Sequence, residues 1–148
     1  MAKSCYEYAM DVLSKYPKTE KELRIKMYQQ GYDSQIVMRT LEKLKLENFL
    51  NDKMFAESYL NSEVMRKGKP LLVIQKKLIM KGIDPKIIAE LSTAFAEDIQ
   101  EGIERRIEKE IDQYKKKGID GFEIIQKIMR KGYRLADIKK VVKARSEE

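Results

Sequence analysis

Few residues in this 148-residue chain could perform chemistry, and histidine is absent altogether. Without an imidazole there is no histidine-based acid–base catalysis, no serine triad and no histidine metal ligand. The single cysteine, Cys5, cannot build a zinc site alone. Carboxylate pairs such as Glu101 and Glu104 lie in a stretch dense in charge, where a solvated helix face is the simpler interpretation. No GxxxxGK(S/T) or GxGxxG phosphate loop occurs. We therefore predict no enzyme, no metal site and no cofactor.

The elements that carry the remaining polar residues are predicted to be helices. Apolar residues recur at spacings of three and four, as in Ile103, Ile107 and Ile111. Helix-start signals agree with this spacing. Thr19 with Glu22 forms a capping-box pattern, Asp84 precedes proline, and Asp33 follows the glycine of a turn. The predicted fold class is all-α.

Three glycines indicate an internal repeat. Gly31, Gly82 and Gly132 are 51 and 50 residues apart, which is room for about three helices per repeat. Glycine ends helices in the left-handed conformation, and the residue after it then packs on the preceding turn. We predict helix starts twelve residues before each glycine, and matching positions that recur in all three repeats. The starts are Thr19, Pro70 and Asp120, and the matching lysines are Lys26, Lys77 and Lys127.

The repeat predicts three tandem three-helix units, residues 1–49, 50–96 and 97–148. Units of this size bury their apolar faces by stacking, so we expect an elongated, curved array with a long concave surface. Phe55 and Tyr59, one turn apart at the start of the second unit, are expected to pack inward.

Charge is segregated along the chain. Lys and Arg total 31 against 24 Asp and Glu, a formal net charge of +7. Residues 65–86 carry a net charge of +6 and residues 114–145 a net charge of +8, whereas residues 97–112 are acidic. Segregation favours a polyanion or an acidic protein as the partner. The alternative is a charged surface that serves solubility or heat tolerance.

The central segment "NDKMFAESYLNSEVMRKGKPLLVIQKKLIMKGI" resembles the central repeat of the RecX regulatory proteins. Around it, "TEKELRIKMYQQGYDSQIVMRTLEKLKLENFLND" resembles the first repeat of that family, and "IIQKIMRKGYRLADIKKVV" the last. Two departures concern charge. Glu63 stands where the family pattern has arginine, and Leu71 and Leu72 stand where basic residues are common. The matching positions are Asp52, Phe55, Ala56, Tyr59, Lys67, Gly68, Lys81, Gly82 and Ile83.

The resemblance implies a regulator that binds the filament formed by the RecA recombinase on single-stranded DNA. Such a protein restrains ATP hydrolysis, strand exchange and repressor cleavage by the filament, and is expected to bind double-stranded DNA weakly. The alternative is a helical repeat that binds DNA directly, without a recombinase partner. The candidate contact residues are Arg66, Lys67, Lys69, Lys76, Lys77, Lys81, Lys127, Arg130, Lys131, Arg134, Lys139 and Lys140.

Cysteine usage and hydropathy predict the compartment. One cysteine forms no intramolecular disulfide, so a reducing environment is the simpler assumption, and Cys5 is expected to be a small buried apolar residue. No apolar run reaches the roughly 18 residues of a membrane span, and the first residues show no signal-peptide pattern. We expect a cytoplasmic protein that does not contact membranes.

Overall fold

The structure is a computed structural model that describes residues 3–147, and every regular element within that range is helical. The all-α prediction is confirmed. One α-helix continues into a π-helical segment, Asn61–Arg66. The α-helices are α1 (Cys5–Lys15), α2 (Glu20–Gln29), α3 (Ser34–Leu46), α4 (Asp52–Leu60), α5 (Leu71–Met80), α6 (Pro85–Ala94), α7 (Ala96–Lys116), α8 (Phe122–Arg130) and α9 (Leu135–Ser146).

The predicted helix starts are confirmed, except for one. The Thr19 side chain accepts the Glu22 N–H while the Glu22 carboxylate accepts the Thr19 N–H, which completes the capping box of α2. Asp33 caps α3, and Asp84 caps α6 with a proline as the first helical residue. These side chains satisfy backbone N–H groups that have no partner inside the helix.

The predicted start at Asp120 is wrong by one residue. Gly121 precedes the first residue of α8 and has φ 59° and ψ −138°. That region of backbone conformation is open to glycine and strongly disfavoured for residues with a side chain. The chain therefore enters α8 through glycine geometry rather than through a carboxylate cap.

The three repeat glycines adopt the predicted left-handed conformation. Their φ values are 93° for Gly31, 92° for Gly82 and 108° for Gly132. After the first, the Tyr32 N–H reaches the Met27 carbonyl at 3.4 Å, and after the second the Ile83 N–H reaches the Leu78 carbonyl at 3.0 Å. These bonds close the second helix of the first two units in the manner of a Schellman cap.

The buried side chains form two hydrophobic cores within residues 3–147. One core lies entirely within α1–α3 and the turn that follows them, and it includes Cys5, which is buried as predicted. The other core runs continuously from Ala56 to Val141. The last six α-helices thus share one interior, while the first three enclose their own. The unit boundaries at residues 49/50 and 96/97 remain a prediction.

The shared core depends on a close backbone approach between α7 and the π-helical segment. Gly102 of α7 lies so near that segment that a Cβ atom there would fall 2.5 Å from the Met65 carbonyl oxygen. Gly68 faces the same contact, where a Cβ would be 2.4 Å from the Gly102 oxygen. The Arg105 guanidinium donates to the Met65 carbonyl at 2.9 Å, and the Tyr133 hydroxyl to the Gly68 carbonyl at 2.6 Å. The two helices can approach this closely only because both positions lack a side chain.

The second helices of the units follow one another end to end. At the carboxyl end of α5, the Thr19 hydroxyl donates to the Lys81 carbonyl at 2.5 Å, and the Lys21 ammonium to the Met80 carbonyl at 3.3 Å. At the carboxyl end of α8, Gly132 packs against the start of α5, where its added Cβ would lie 2.9 Å from Val73 Cγ2. Groups at the start of one helix thus meet the end of the next, which brings opposite ends of the helix dipoles together.

The exposed area agrees with an elongated array. The chain exposes 9860 Å² of surface. A compact globular protein of 17.4 kDa exposes roughly 7,900 Å² by the usual scaling of surface with mass. A row of stacked helical units exposes more surface than a sphere of the same mass.

Replacement of Gly102 by alanine tests the contact between α7 and the π-helical segment. Glycine to alanine inside a helix normally stabilises the fold by about 0.5–1 kcal/mol. Here the added methyl group meets backbone oxygens at 2.5 and 2.6 Å, so we expect a loss of about 1–3 kcal/mol. Urea denaturation followed by circular dichroism gives the value. Gln113→Ala, at an exposed position of the same helix, is the control and should be near neutral. A stabilised Gly102→Ala protein would contradict the described contact.

Candidate functional site

The predicted basic residues all keep solvent exposure, but they lie on different elements. Three are at or just after the π-helical segment, three on or capping α5, and three on or capping α8. The last three lie at the start of α9 and along it. In that order they are Arg66, Lys67 and Lys69; Lys76, Lys77 and Lys81; Lys127, Arg130 and Lys131; and Arg134, Lys139 and Lys140.

Six of these twelve residues are held by carboxylates of the same chain. Ion pairs of this kind satisfy the cation internally and compete with an external anion. The pairs are Lys67–Glu63 at 2.8 Å, Lys69–Glu63 at 2.8 Å, Lys81–Glu22 at 3.2 Å, Lys131–Glu110 at 2.6 Å, Arg134–Asp137 at 3.1 Å and Lys140–Glu104 at 3.3 Å.

The other six have no carboxylate within 4.0 Å in the part of the chain that the structure describes. Lys127 is half-buried and the others are exposed. Their charges are therefore available to an external partner without the loss of an internal pair. We call them the unpaired cations: Arg66, Lys76, Lys77, Lys127, Arg130 and Lys139.

Glu63 pairs with two of the predicted contact residues, Lys67 and Lys69. Its side chain is 13% exposed and lies between the Lys67 and Lys69 ammonium groups. Hydrogen bonds from Lys67 and then Lys69 lower the pKa of the Glu63 carboxyl to about 2. The carboxylate therefore stays ionised at neutral pH. Glu63 stands where the family pattern has arginine, so this position lacks a positive charge. Its carboxylate also pairs with the charges of Lys67 and Lys69.

Glu110 of α7 stabilises the end of α8 through an ion pair with Lys131. Its side chain is only 3% exposed and is held between Lys131 and Arg106, at 2.6 and 3.1 Å. Burial raises the pKa of the Glu110 carboxyl, but the hydrogen bonds from Lys131 and Arg106 outweigh it, so the net pKa lies below its usual value. Removal of either partner would leave a buried charge less well compensated. Lys131 accordingly contributes to the fold at the position where the sequence suggested a contact residue.

A group of aromatic residues that the sequence did not predict as a site lies where the first unit meets α4. Tyr16 and Phe49 come from the first unit, and Phe55 and Tyr59 from α4. The expectation that Phe55 and Tyr59 pack inward is only partly met, because the structure leaves both half-buried beside the core. The rings of Phe55 and Tyr59 stack on each other, with 5.9 Å between their centres and an interplanar angle of 14°. Only the clustering of aromatics near residues 16, 49, 55 and 59 could have signalled this site.

The described residues hold no group of three or more cysteine, aspartate or glutamate side chains placed to bind a metal ion. Within the same residues, no helix has both the length and the apolar character needed to cross a membrane.

Two family models match the chain. The first three-helix domain of RecX matches residues 5–44, and the second three-helix domain of RecX matches residues 51–91. The two matched ranges correspond to α1–α3 and to α4–α6. Each of the two family models therefore matches a group of three consecutive helices.

Curated relatives and a solved structure carry the same family name. The regulatory protein RecX of Clostridium perfringens strain 13 is 34% identical over 134 residues, which cover 87% of this chain and 62% of that protein. RecX of Clostridium botulinum strain Eklund 17B is 31% identical over 144 residues, with coverage of 94% and 67%. The crystal structure of RecX from Lactobacillus salivarius has a TM-score of 0.78 at 25% identity and covers 95% of this chain and 93% of that one.

Stacked three-helix units with segregated basic side chains define an all-helical repeat protein. The chain belongs to the RecX family of regulatory proteins, so the predicted resemblance is confirmed. It spans about 62% of the length of the Clostridium perfringens relative.

The pKa of Glu63 predicts a pH dependence of stability. The pKa of the Glu63 carboxyl is about 2 in the folded protein, against 4.5 for a glutamate without partners. The ionised carboxylate therefore stabilises the fold above pH 4.5, and this contribution is lost as the pH falls through 2. For an ion-pair cluster near the surface we expect about 1 kcal/mol. In urea denaturation, the free energies of unfolding of the parent and of Glu63→Gln should differ by that amount at pH 7, and the difference should disappear as the pH falls through 2. Equal stability at pH 7 would contradict the described ion pairs.

Proposed function

We propose that the chain binds the RecA filament on single-stranded DNA and restrains ATP hydrolysis, strand exchange and repressor cleavage by that filament. It would do so as a binding protein in the cytoplasm, without catalysis and without a cofactor. Membership of the RecX family supports the regulatory role, because its members are named regulatory proteins.

The single observation that carries the proposed binding mode is the distribution of the unpaired cations. They lie on the π-helical segment, on α5, on α8 and on α9, so they extend over the two units that share one core. A rigid pair of units can present charges at fixed separations, which suits a partner with a repeated anionic surface. An assembly of protein and DNA provides such a surface, since it carries phosphates at regular intervals.

Two double variants test the proposed contacts without loss of structural ion pairs. Lys76→Gln with Lys77→Gln removes unpaired cations from α5, and Lys127→Gln with Arg130→Gln removes them from α8. Lys115→Gln with Lys116→Gln, on the exposed end of α7, lowers the net charge by the same amount and is the matched control. Lys81, Lys131 and Arg134 are left unchanged because each has a carboxylate partner.

Binding is measured as a function of salt for naked single strand, recombinase alone and assembled filament. Each phosphate contact that is lost should flatten the plot of log affinity against log salt by roughly 0.7. Inhibition of the filament ATPase should weaken in parallel for both test variants and remain at the parental level for the control. If both test variants bind and inhibit as the parent does, the proposed contact surface is wrong. Binding to naked DNA with no effect on the filament ATPase would instead favour the DNA-binding alternative.

Replacement of Glu63 by glutamine should act in the opposite direction. The change releases Lys67 and Lys69 from their shared carboxylate. If both ammonium groups then reach phosphates, the salt dependence steepens by up to roughly 1.4 and affinity rises at low salt. Glu57→Gln, an exposed acidic residue on α4 with no cation within 4.0 Å among residues 3–147, removes the same charge and serves as the control. An unchanged slope for Glu63→Gln would show that these lysines face away from the nucleic acid.

A further inference from the structure

A groove of about 550 Å³ lies between the first unit and α4, and the mechanism proposed above does not use it. This volume falls within the range of protein sites that hold small organic groups. Four aromatic side chains line it, which is one third of the 12 Tyr and Phe residues of the chain. They are Tyr16, Phe49, Phe55 and Tyr59.

The aromatic residues of the groove are unusually open to solvent. Tyr16 is 70% exposed, Phe49 is 50% exposed, and Met54 beside them is 57% exposed. Phe49 is presented by Asn48, the one residue other than glycine within the described range that has a positive φ, at 62°. The left-handed backbone ends α3 there, and the Phe49 N–H bonds to the Leu44 carbonyl at 2.9 Å. The local backbone therefore holds the Phe49 ring at the groove.

Charge selects the kind of ligand that the groove can hold. Lys18 is the only charged side chain in its lining, and the lining contains no carboxylate. Lys81 lies outside the lining, with its ammonium 5.8 Å from the centre of the Phe55 ring and 5.6 Å from that of Tyr59, and its charge is paired with Glu22. Amide and hydroxyl groups complete the lining through Asn48, Asn51 and Ser58. The site therefore combines ring faces, neutral hydrogen-bonding groups and positive charge.

We propose that this groove holds unpaired bases of single-stranded nucleic acid, stacked on the aromatic side chains, with Lys18 beside the sugar–phosphate backbone. Sequence-tolerant single-strand sites combine aromatic platforms with basic groups in this way, because every base has a π face. A duplex keeps its bases stacked internally, so the groove discriminates in favour of the single strand. The inference rests on the nucleic-acid part of the proposed function and assigns it a second site, between the first unit and α4, apart from the unpaired cations.

Anisotropy of labelled oligonucleotides tests the proposal on the full chain. The probes are a thymidine oligomer, an abasic strand of the same length and a duplex, each measured without recombinase. Tyr16→Ala and Phe49→Ala should each weaken binding of the thymidine oligomer roughly five- to 150-fold. The slope of affinity against salt should not change, since neither side chain is charged. Binding of the abasic strand and of the duplex should equal that of the parent.

Phe122→Ala is the matched control, because Phe122 is also 70% exposed but lies at the start of α8. It should bind the thymidine oligomer as the parent does. Tyr16→Leu and Phe49→Leu keep an apolar side chain and remove the ring, so they replace the alanine variants if those fail to fold. If the leucine variants also lose affinity for the thymidine oligomer, the loss is due to the missing ring and not to a loss of apolar surface.

Two results would overturn the proposal. One is parental binding of the thymidine oligomer by the Tyr16 and Phe49 variants, and the other is an equal loss on the abasic strand. If those variants bind naked DNA normally but no longer inhibit the filament ATPase, the groove holds a protein segment instead. In that case the proposed function stands and only the occupant is wrong. Failure of the unpaired-cation variants to alter filament inhibition would, by contrast, refute the proposed contact surface of those cations while leaving this test intact.

Discussion

The architecture depends on the close approach of two backbones at Gly68 and Gly102. A side chain at either position would collide with backbone atoms of the opposite element. Because both lack a Cβ, α7 packs directly on the π-helical segment, and the apolar faces of α4–α9 merge into one core. The wider π-helical turn leaves a carbonyl at Met65 that the Arg105 guanidinium satisfies.

The cations of this protein fall into two groups that composition alone does not separate. Glu110 and Asp137 are almost fully buried and hold Lys131 and Arg134 in place, so those cations contribute to the fold. Other cations, such as Lys76, have no carboxylate within 4.0 Å among residues 3–147. Internal pairing therefore divides the basic surface into structural cations and cations available to a polyanion.

Lys81 illustrates how the first unit is attached to the rest. Its carbonyl accepts the Thr19 hydroxyl, its ammonium pairs with Glu22, and the same ammonium lies over the rings of Phe55 and Tyr59. The first unit keeps its own core, so polar contacts of this kind contribute much of what holds it against the second. The aromatic groove forms at this junction because two cores end there without merging.

Local signals in the sequence determined the helices, most of their caps and the glycine-closed repeat, since these depend on neighbours within about four residues. Thr19 with Glu22 and the turns at Gly31, Gly82 and Gly132 could be predicted for that reason. Ion pairs such as Lys131–Glu110, 21 residues apart, and the placement of Tyr16 and Tyr59 along one groove could not be predicted. They depend on how the units stack, and only the tertiary structure decides which distant side chains then come within contact distance.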